Sequence, residues 1–219
     1  MLANLKQRFY ARFIDGQFRR PSGLLGRYIG AGMARDHRPE NLWTVACLDP
    51  QPEDHILEIG FGPGVAVEAL AQRLTTGKVA GIDFSRTMVG AARRRNAAAV
   101  RAGRVDLRHG EAGSLPFPDA AFDKVFGIHT LYFWPRPANV LHEAWRVLKP
   151  DGRIVLTILP KEKWNPNDPE APVGTPECRP YTAAEVMAMY VAAGFSDPRV
   201  QADPNPRHPS SCCVMATKA

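Results

Sequence analysis

Three glycines at alternate positions, Gly60, Gly62 and Gly64, follow the apolar run Ile56-Leu57-Glu58-Ile59. Such a run suits a buried parallel strand. A backbone without Cβ atoms can turn sharply at its end and let a ligand lie against it. The next segment, Val65 to Leu74, reads as a helix whose free N–H groups point back at that ligand. Val65 breaks the G-x-G-x-x-G spacing of dinucleotide sites, which leaves Gly60-Phe61-Gly62-Pro63-Gly64 as a G-x-G-x-G turn. Glu58 stands two residues before the first glycine, where an acid suits a ligand bearing an ammonium rather than a pyrophosphate. Asp83 ends a second strand-like run, 19 residues past Gly64. A doubly wound fold brings a carboxylate at that distance to ribose hydroxyls. The plainer role for Asp83 is to end the strand or help cap the next helix, for which Ser85 is also suited.

Two further segments fall in register with these. Gly110-Glu111-Ala112-Gly113-Ser114-Leu115-Pro116-Phe117 follows a third strand over 104–109, and Leu148-Lys149-Pro150-Asp151-Gly152 precedes a fifth. In this order and spacing the four segments resemble the class I S-adenosylmethionine-dependent methyltransferases. Within that class the resemblance is to the small bacterial type-11 group, which includes the ubiquinone and menaquinone C-methyltransferases. It covers about residues 50–218. It implies S-adenosyl-L-methionine as cofactor, with S-adenosyl-L-homocysteine as product, bound along Glu58, Gly60, Phe61, Gly62 and Gly64. Asp83 is then expected on the ribose and Phe84 under the adenine. Glu111 would accept from the exocyclic amine, and the backbone N–H of Ala112 would donate to the ring. Pro150 and Gly152 are expected to end a helix and reverse the chain.

The same resemblance places the residues after the fourth strand, Ile128 to Trp134, opposite the transferred methyl. His129 is the candidate general base for an alcohol, phenol or ammonium, and Tyr132 the candidate for orienting the acceptor. Shaping the pocket, or packing on the adenosyl group, is the other role open to His129. Phe133 and Trp134 read as wall or core.

The elements that must position these residues alternate. Strands are expected at 55–59, 78–83, 104–109, 122–128 and 153–159, with helices at 64–74, 85–101 and 135–148. Alternation of this kind gives a parallel sheet with right-handed crossovers. The capping box Thr182-Ala183-Ala184-Glu185 opens a further helix that stops at Gly194. Strands at 195–202 and 211–217, joined by a Pro-rich turn, must pair antiparallel. The expected fold is thus α/β: a doubly wound, mostly parallel seven-stranded sheet with a terminal antiparallel hairpin, plus an N-terminal helical arm. Residues 1–50 are read as the arm, a lid over the cofactor mouth, and 51–219 as the catalytic domain. The arm has an apolar stripe, Leu2, Leu5, Phe9 and Phe13, a glycine-rich joint at 21–26, and a helix over about Pro39 to Leu48. The Pro-rich loop 160–180 is expected to form the substrate wall.

Composition narrows the partners. At 219 residues, 45% hydrophobic and 23% charged, the chain is an ordinary globular one with no apolar run of membrane-span length and no signal-peptide block. A cytoplasmic protein, monomer or homodimer, is expected. The net charge of +6 lies wholly in residues 1–38, which carry eight Lys or Arg against Asp15 and Asp36. This suits an anionic or membrane-associated acceptor, or else only solubility. Cys47, Cys178, Cys212 and Cys213 include no C-x-x-C pair, so no metal site is read and reduced thiols are expected. A thiol trio for a soft substrate is the sharper alternative. Nucleic acid is not expected as a substrate, because 219 residues leave no room for a separate recognition domain. The rival functions are an NAD(P)-binding oxidoreductase, disfavoured by the glycine spacing and the terminal hairpin, and a non-catalytic cofactor-binding module.

Overall fold

The computed structural model describes residues 22–164, 178–204 and 211–219. Its centre is a seven-stranded sheet formed by β1 (His55–Ile59), β2 (Lys78–Asp83), β3 (Val105–His109), β4 (Phe122–Ile128), β5 (Leu148–Ile158), β6 (Phe195–Ala202) and β7 (Cys212–Lys218). Their order is β3-β2-β1-β4-β5-β7-β6. The first five pair in parallel, and β7 runs antiparallel between β5 and β6. The expected mixed sheet with its antiparallel end is therefore present. The order reverses between β1 and β4, and at such a switch point the crevice outside the carboxyl ends of the strands receives ligands.

Among the described residues the α-helices are α1 (Gly23–Asp36), α2 (Arg38–Leu48), α3 (Val65–Arg73), α4 (Arg86–Arg95), α5 (Ala97–Arg101), α6 (Pro137–Val147) and α7 (Ala183–Ala192). Strand alternation divides the core between the two faces of the sheet. Leu57, Ile59, Ile82, Val125 and Cys212 face the side covered by α6 and α7. Ile56, Val79, Phe126, Val155 and Cys213 face the side covered by α2, α3 and α4. Cys47 joins Cys213 on that second face and Cys178 joins Cys212 on the first, so the thiol trio is split by the sheet.

Several local expectations are corrected. The helix read over 85–101 breaks at Asn96, whose side-chain amide donates to Ala92 O at 3.0 Å and to Gly64 O at 3.2 Å. The segment Leu148 to Gly152 is not a turn ahead of the fifth strand but part of it. Phe122 pairs with Leu148 and Lys124 with Arg153, so the extra residues bulge out, with Asp151 at φ 61°. The second half of the glycine-rich joint is the start of α1. Nor does residue 50 mark a break in packing: Val45 and Leu48 of α2 are fully buried in the core of the sheet. The capping box holds as read, with Thr182 accepting from Glu185 N and Glu185 from Thr182 N. The stripe at Leu2, Leu5, Phe9 and Phe13 and most of the Pro-rich loop lie outside the described residues. Among the described residues no helix is long and apolar enough to cross a membrane.

Candidate active site

The turn after β1 uses its three glycines for different reasons. All have positive φ: 76° at Gly60, 49° at Gly62 and 76° at Gly64. A Cβ on Gly60 would lie 2.5 Å from Thr130 Oγ1, and one on Gly64 2.8 Å from the Ala92 Cβ. Those two glycines are demanded by packing against the loop after β4 and against α4. A Cβ on Gly62 would meet nothing within 4 Å, so this glycine borders open space. Its N–H donates to Asp83 Oδ2 at 2.9 Å, which ties the turn to the end of β2. Asp83 Oδ1 accepts from Ser85 N at 2.8 Å, and Ser85 in turn caps α4 through Met88 N.

Glu58 and Asp83 are both buried at this corner, 2% and 6% exposed. Burial pushes Glu58 up to about 8, with Asp83 close by adding repulsion. Burial likewise pushes Asp83 up to about 6, against the backbone donors Ser85 and Gly62, which act to lower it. Glu58 Oε2 has no hydrogen-bond partner among the described residues. A buried carboxyl oxygen without a partner is costly unless something else satisfies it. Two inward carboxyls beside an open glycine fit a ligand that brings an ammonium and a pair of hydroxyl donors, as S-adenosylmethionine does.

The remaining cofactor candidates are arranged less directly. Phe61 is 3% exposed, and its ring fills the space over Gly81, where a Cβ would come within 2.5 Å of it. Its side chain is therefore core, and only its backbone is left for a ligand. Phe84 is half-buried just past Asp83, with its carbonyl 3.1 Å from His109 Nε2. Glu111 is exposed and Ala112 half-buried on the loop after β3, the next strand over from Asp83. That loop is held from α6: Leu115 N donates to Glu143 Oε2 at 2.7 Å, and Arg146 donates to the carbonyls of Leu115 and Phe117.

The pair read as catalytic stands together but not as expected. His129 follows β4 with φ 51°, a left-handed conformation uncommon for a residue with a Cβ. Its Nε2 lies 2.7 Å from Glu40 Oε2 and its Nδ1 3.2 Å from the Tyr132 hydroxyl. Both ring nitrogens thus have protein partners. Tyr132 is 3% exposed, and its hydroxyl accepts from Leu159 N. Burial raises its pKa well above the ordinary value, so the phenol is a fixed internal support rather than a group at the mouth. Glu40, on α2, is the residue that no sequence pattern predicts here. Burial would raise its pKa, but the neighbouring His129, with His37 and Ser211, outweighs this and holds the carboxyl far below its usual range. Nothing in the sequence marked Glu40, because an acid in the first turn of a helix ordinarily faces solvent.

A parallel sheet reversing at β1 and β4, an antiparallel end, and a glycine turn flanked by two buried acids together define the class I methyltransferase architecture. Residues 57–156 match the family described as a methyltransferase domain. The chain is 30% identical over 186 residues to the uncharacterized methyltransferase YdaC of Bacillus subtilis, covering 85% of this chain and 95% of that protein. It is 33% identical over 136 residues to the ubiquinone/menaquinone biosynthesis C-methyltransferase UbiE of Geotalea daltonii, covering 60% of this chain and 55% of that one. Among solved structures, a SAM-dependent methyltransferase from Aquifex aeolicus superposes with a TM-score of 0.71 at 22% identity, covering 88% of this chain and 98% of the other. The chain belongs to the S-adenosylmethionine-dependent methyltransferases. That membership sets aside the nicotinamide reading.

Proposed function

We propose that this methyltransferase modifies a small-molecule acceptor, which meets the cofactor at the carboxyl ends of β1 and β4. The observation that carries the reading is the buried pair Glu58 and Asp83 beside the open space at Gly62. Bound S-adenosylmethionine supplies a methyl on a sulfonium leaving group. Glu58 would hold the ammonium, Asp83 the ribose hydroxyls, and Gly62 the close approach of the backbone. The chain's task in an in-line displacement is then to position and desolvate the acceptor. Proton removal by His129 would first require breaking its contact with Glu40 or Tyr132. The site therefore favours acceptors that arrive ionised or with a lone pair in hand, such as a thiolate, an enolate or a neutral amine. The similarity to quinone C-methyltransferases supports a carbon acid of the enolate type among these.

The experiment is transfer of radiolabelled methyl from S-adenosylmethionine by the purified protein into a cell extract, followed by separation into small-molecule, protein and nucleic-acid fractions. Label is expected in the small-molecule fraction. Label confined to macromolecules would overturn the acceptor class. Tight cofactor binding without any transfer would favour a non-catalytic module.

A further inference from the structure

We propose that His37, Glu40 and His129 form a site for a divalent transition metal of the zinc class, set between the start of α2 and the end of β4. Each offers one ligand atom, and these atoms lie within 4.8 Å of one another. Glu40 Oε2 is 2.7 Å from His129 Nε2 and 3.4 Å from His37 Nδ1. Ligands held at about 2.0–2.2 Å around such an ion stand roughly 3.0–3.5 Å apart. The Glu40–His129 pair must open by a few tenths of an ångström, and a gap as wide as the 4.8 Å limit must close by roughly 1–2 Å, which falls to rotation of the His37 side chain. Two imidazoles and a carboxylate suit ions of the iron-to-zinc range rather than calcium or magnesium, which take oxygen ligands.

Three further observations point the same way. The outer contacts that fix metal-binding side chains are present: Tyr132 stands at His129 Nδ1, is itself held by Leu159 N, and Ser211 bonds Glu40. The left-handed backbone of His129 is a cost that tends to be retained where a side chain must be aimed. Access is graded, since the Glu40 side chain is 5% exposed and that of His37 47%. An ion would enter past His37 and settle on a buried carboxylate. Three protein ligands leave coordination open. The opening is close to the cofactor crevice, because Thr130, next to His129, packs against Gly60.

The test uses the full-length chain stripped with a chelator. Zinc is titrated by calorimetry and cobalt(II) by absorption. One ion per chain is expected, with visible cobalt bands and no near-ultraviolet thiolate band of the kind that ligation by Cys47 or Cys213 would give. His37→Ala, at a half-exposed side chain, should keep the thermal melt of the parent and weaken binding at least about tenfold. His129→Asn, which tolerates the left-handed backbone, should weaken it as well. A thiolate band, absence of saturable binding, or unchanged affinity in either variant would overturn the site.

Discussion

Glu58 and Asp83 are an unstable pair until a ligand answers them, and this gives the site a pH signature. Without ligand, burial raises Asp83 to about 6 and Glu58 to about 8. A raised acid is protonated in the folded chain at pH values where the unfolded chain has already lost the proton. Stability of the ligand-free protein is therefore fullest below the ordinary carboxylate range and falls as pH rises through about 6 and then about 8. An ammonium and ribose hydroxyls favour the ionised forms, so cofactor binding should release protons and tighten as pH rises toward about 8. Calorimetry in buffers of different ionisation heat reads that release, and Glu58→Gln should remove the Glu58 share of both pH slopes. If proton release were unchanged in that variant, Glu58 would not be the ammonium's partner. Asp83→Ala should weaken the cofactor by about 1.5–3 kcal/mol, the range for hydrogen bonds to a charged group. Gly62→Val should do so more severely, because a β-branched residue is strained at φ 49° and fills the open approach.

At the scale of elements, β1 and β2 are locked by one small-for-large exchange. Gly81 of β2 leaves room for the ring of Phe61, and an added Cβ would lie 2.5 Å from that ring and 2.9 Å from Leu107. Gly81→Ala should cost about 1–3 kcal/mol by overpacking and should loosen the glycine turn with it. Chemical denaturation measures the first effect and cofactor calorimetry the second; a neutral substitution would mean that Phe61 has another place to go. The inner strands β1, β2 and β4 were legible because each is largely an apolar run bounded by Gly, Pro or a charge, and the acids Glu58 and Asp83 were legible because of their spacing. The features that no local pattern predicts depend on contacts distant in sequence. Asn96 breaks a helix flanked by strong helix formers, because its amide reaches Gly64 O in another turn. The bulge at Asp151 is defined by pairing with β4, where Phe122 meets Leu148 and Lys124 meets Arg153, and no local pattern announces it. Glu40 meets His129 across 89 residues, and the meeting takes His129 out of the simple role of a free base.

For the whole molecule, the uneven charge is the feature that the catalytic core does not explain. Lys6, Arg8, Arg12, Arg19, Arg20, Arg27, Arg35 and Arg38 carry the entire net excess, while the other 20 basic and 20 acidic residues cancel. Arg35 is paired with Asp36 and Arg38 lies 3.7 Å from Glu68, while Lys6, Arg8, Arg12, Arg19, Arg20 and Arg27 stand against Asp15 alone in the sequence of residues 1–27. A truncation that tests the arm must stop before α2, whose residues Val45 and Leu48 are core. Removal of residues 1–22 should leave a folded protein that still binds S-adenosylhomocysteine, since Glu58, Gly62 and Asp83 are untouched. If the acceptor is anionic or lies on an anionic surface, its apparent affinity should fall as salt rises, because exposed charges are screened over about 8 Å at physiological ionic strength. Arg19→Glu together with Arg20→Glu should reproduce that loss at low salt while leaving cofactor affinity as it was. The two readouts separate steering of the acceptor from damage to the cofactor site. Kinetics independent of salt, with the truncated and charge-reversed proteins turning over like the parent, would reduce the basic arm to a means of keeping the protein in solution.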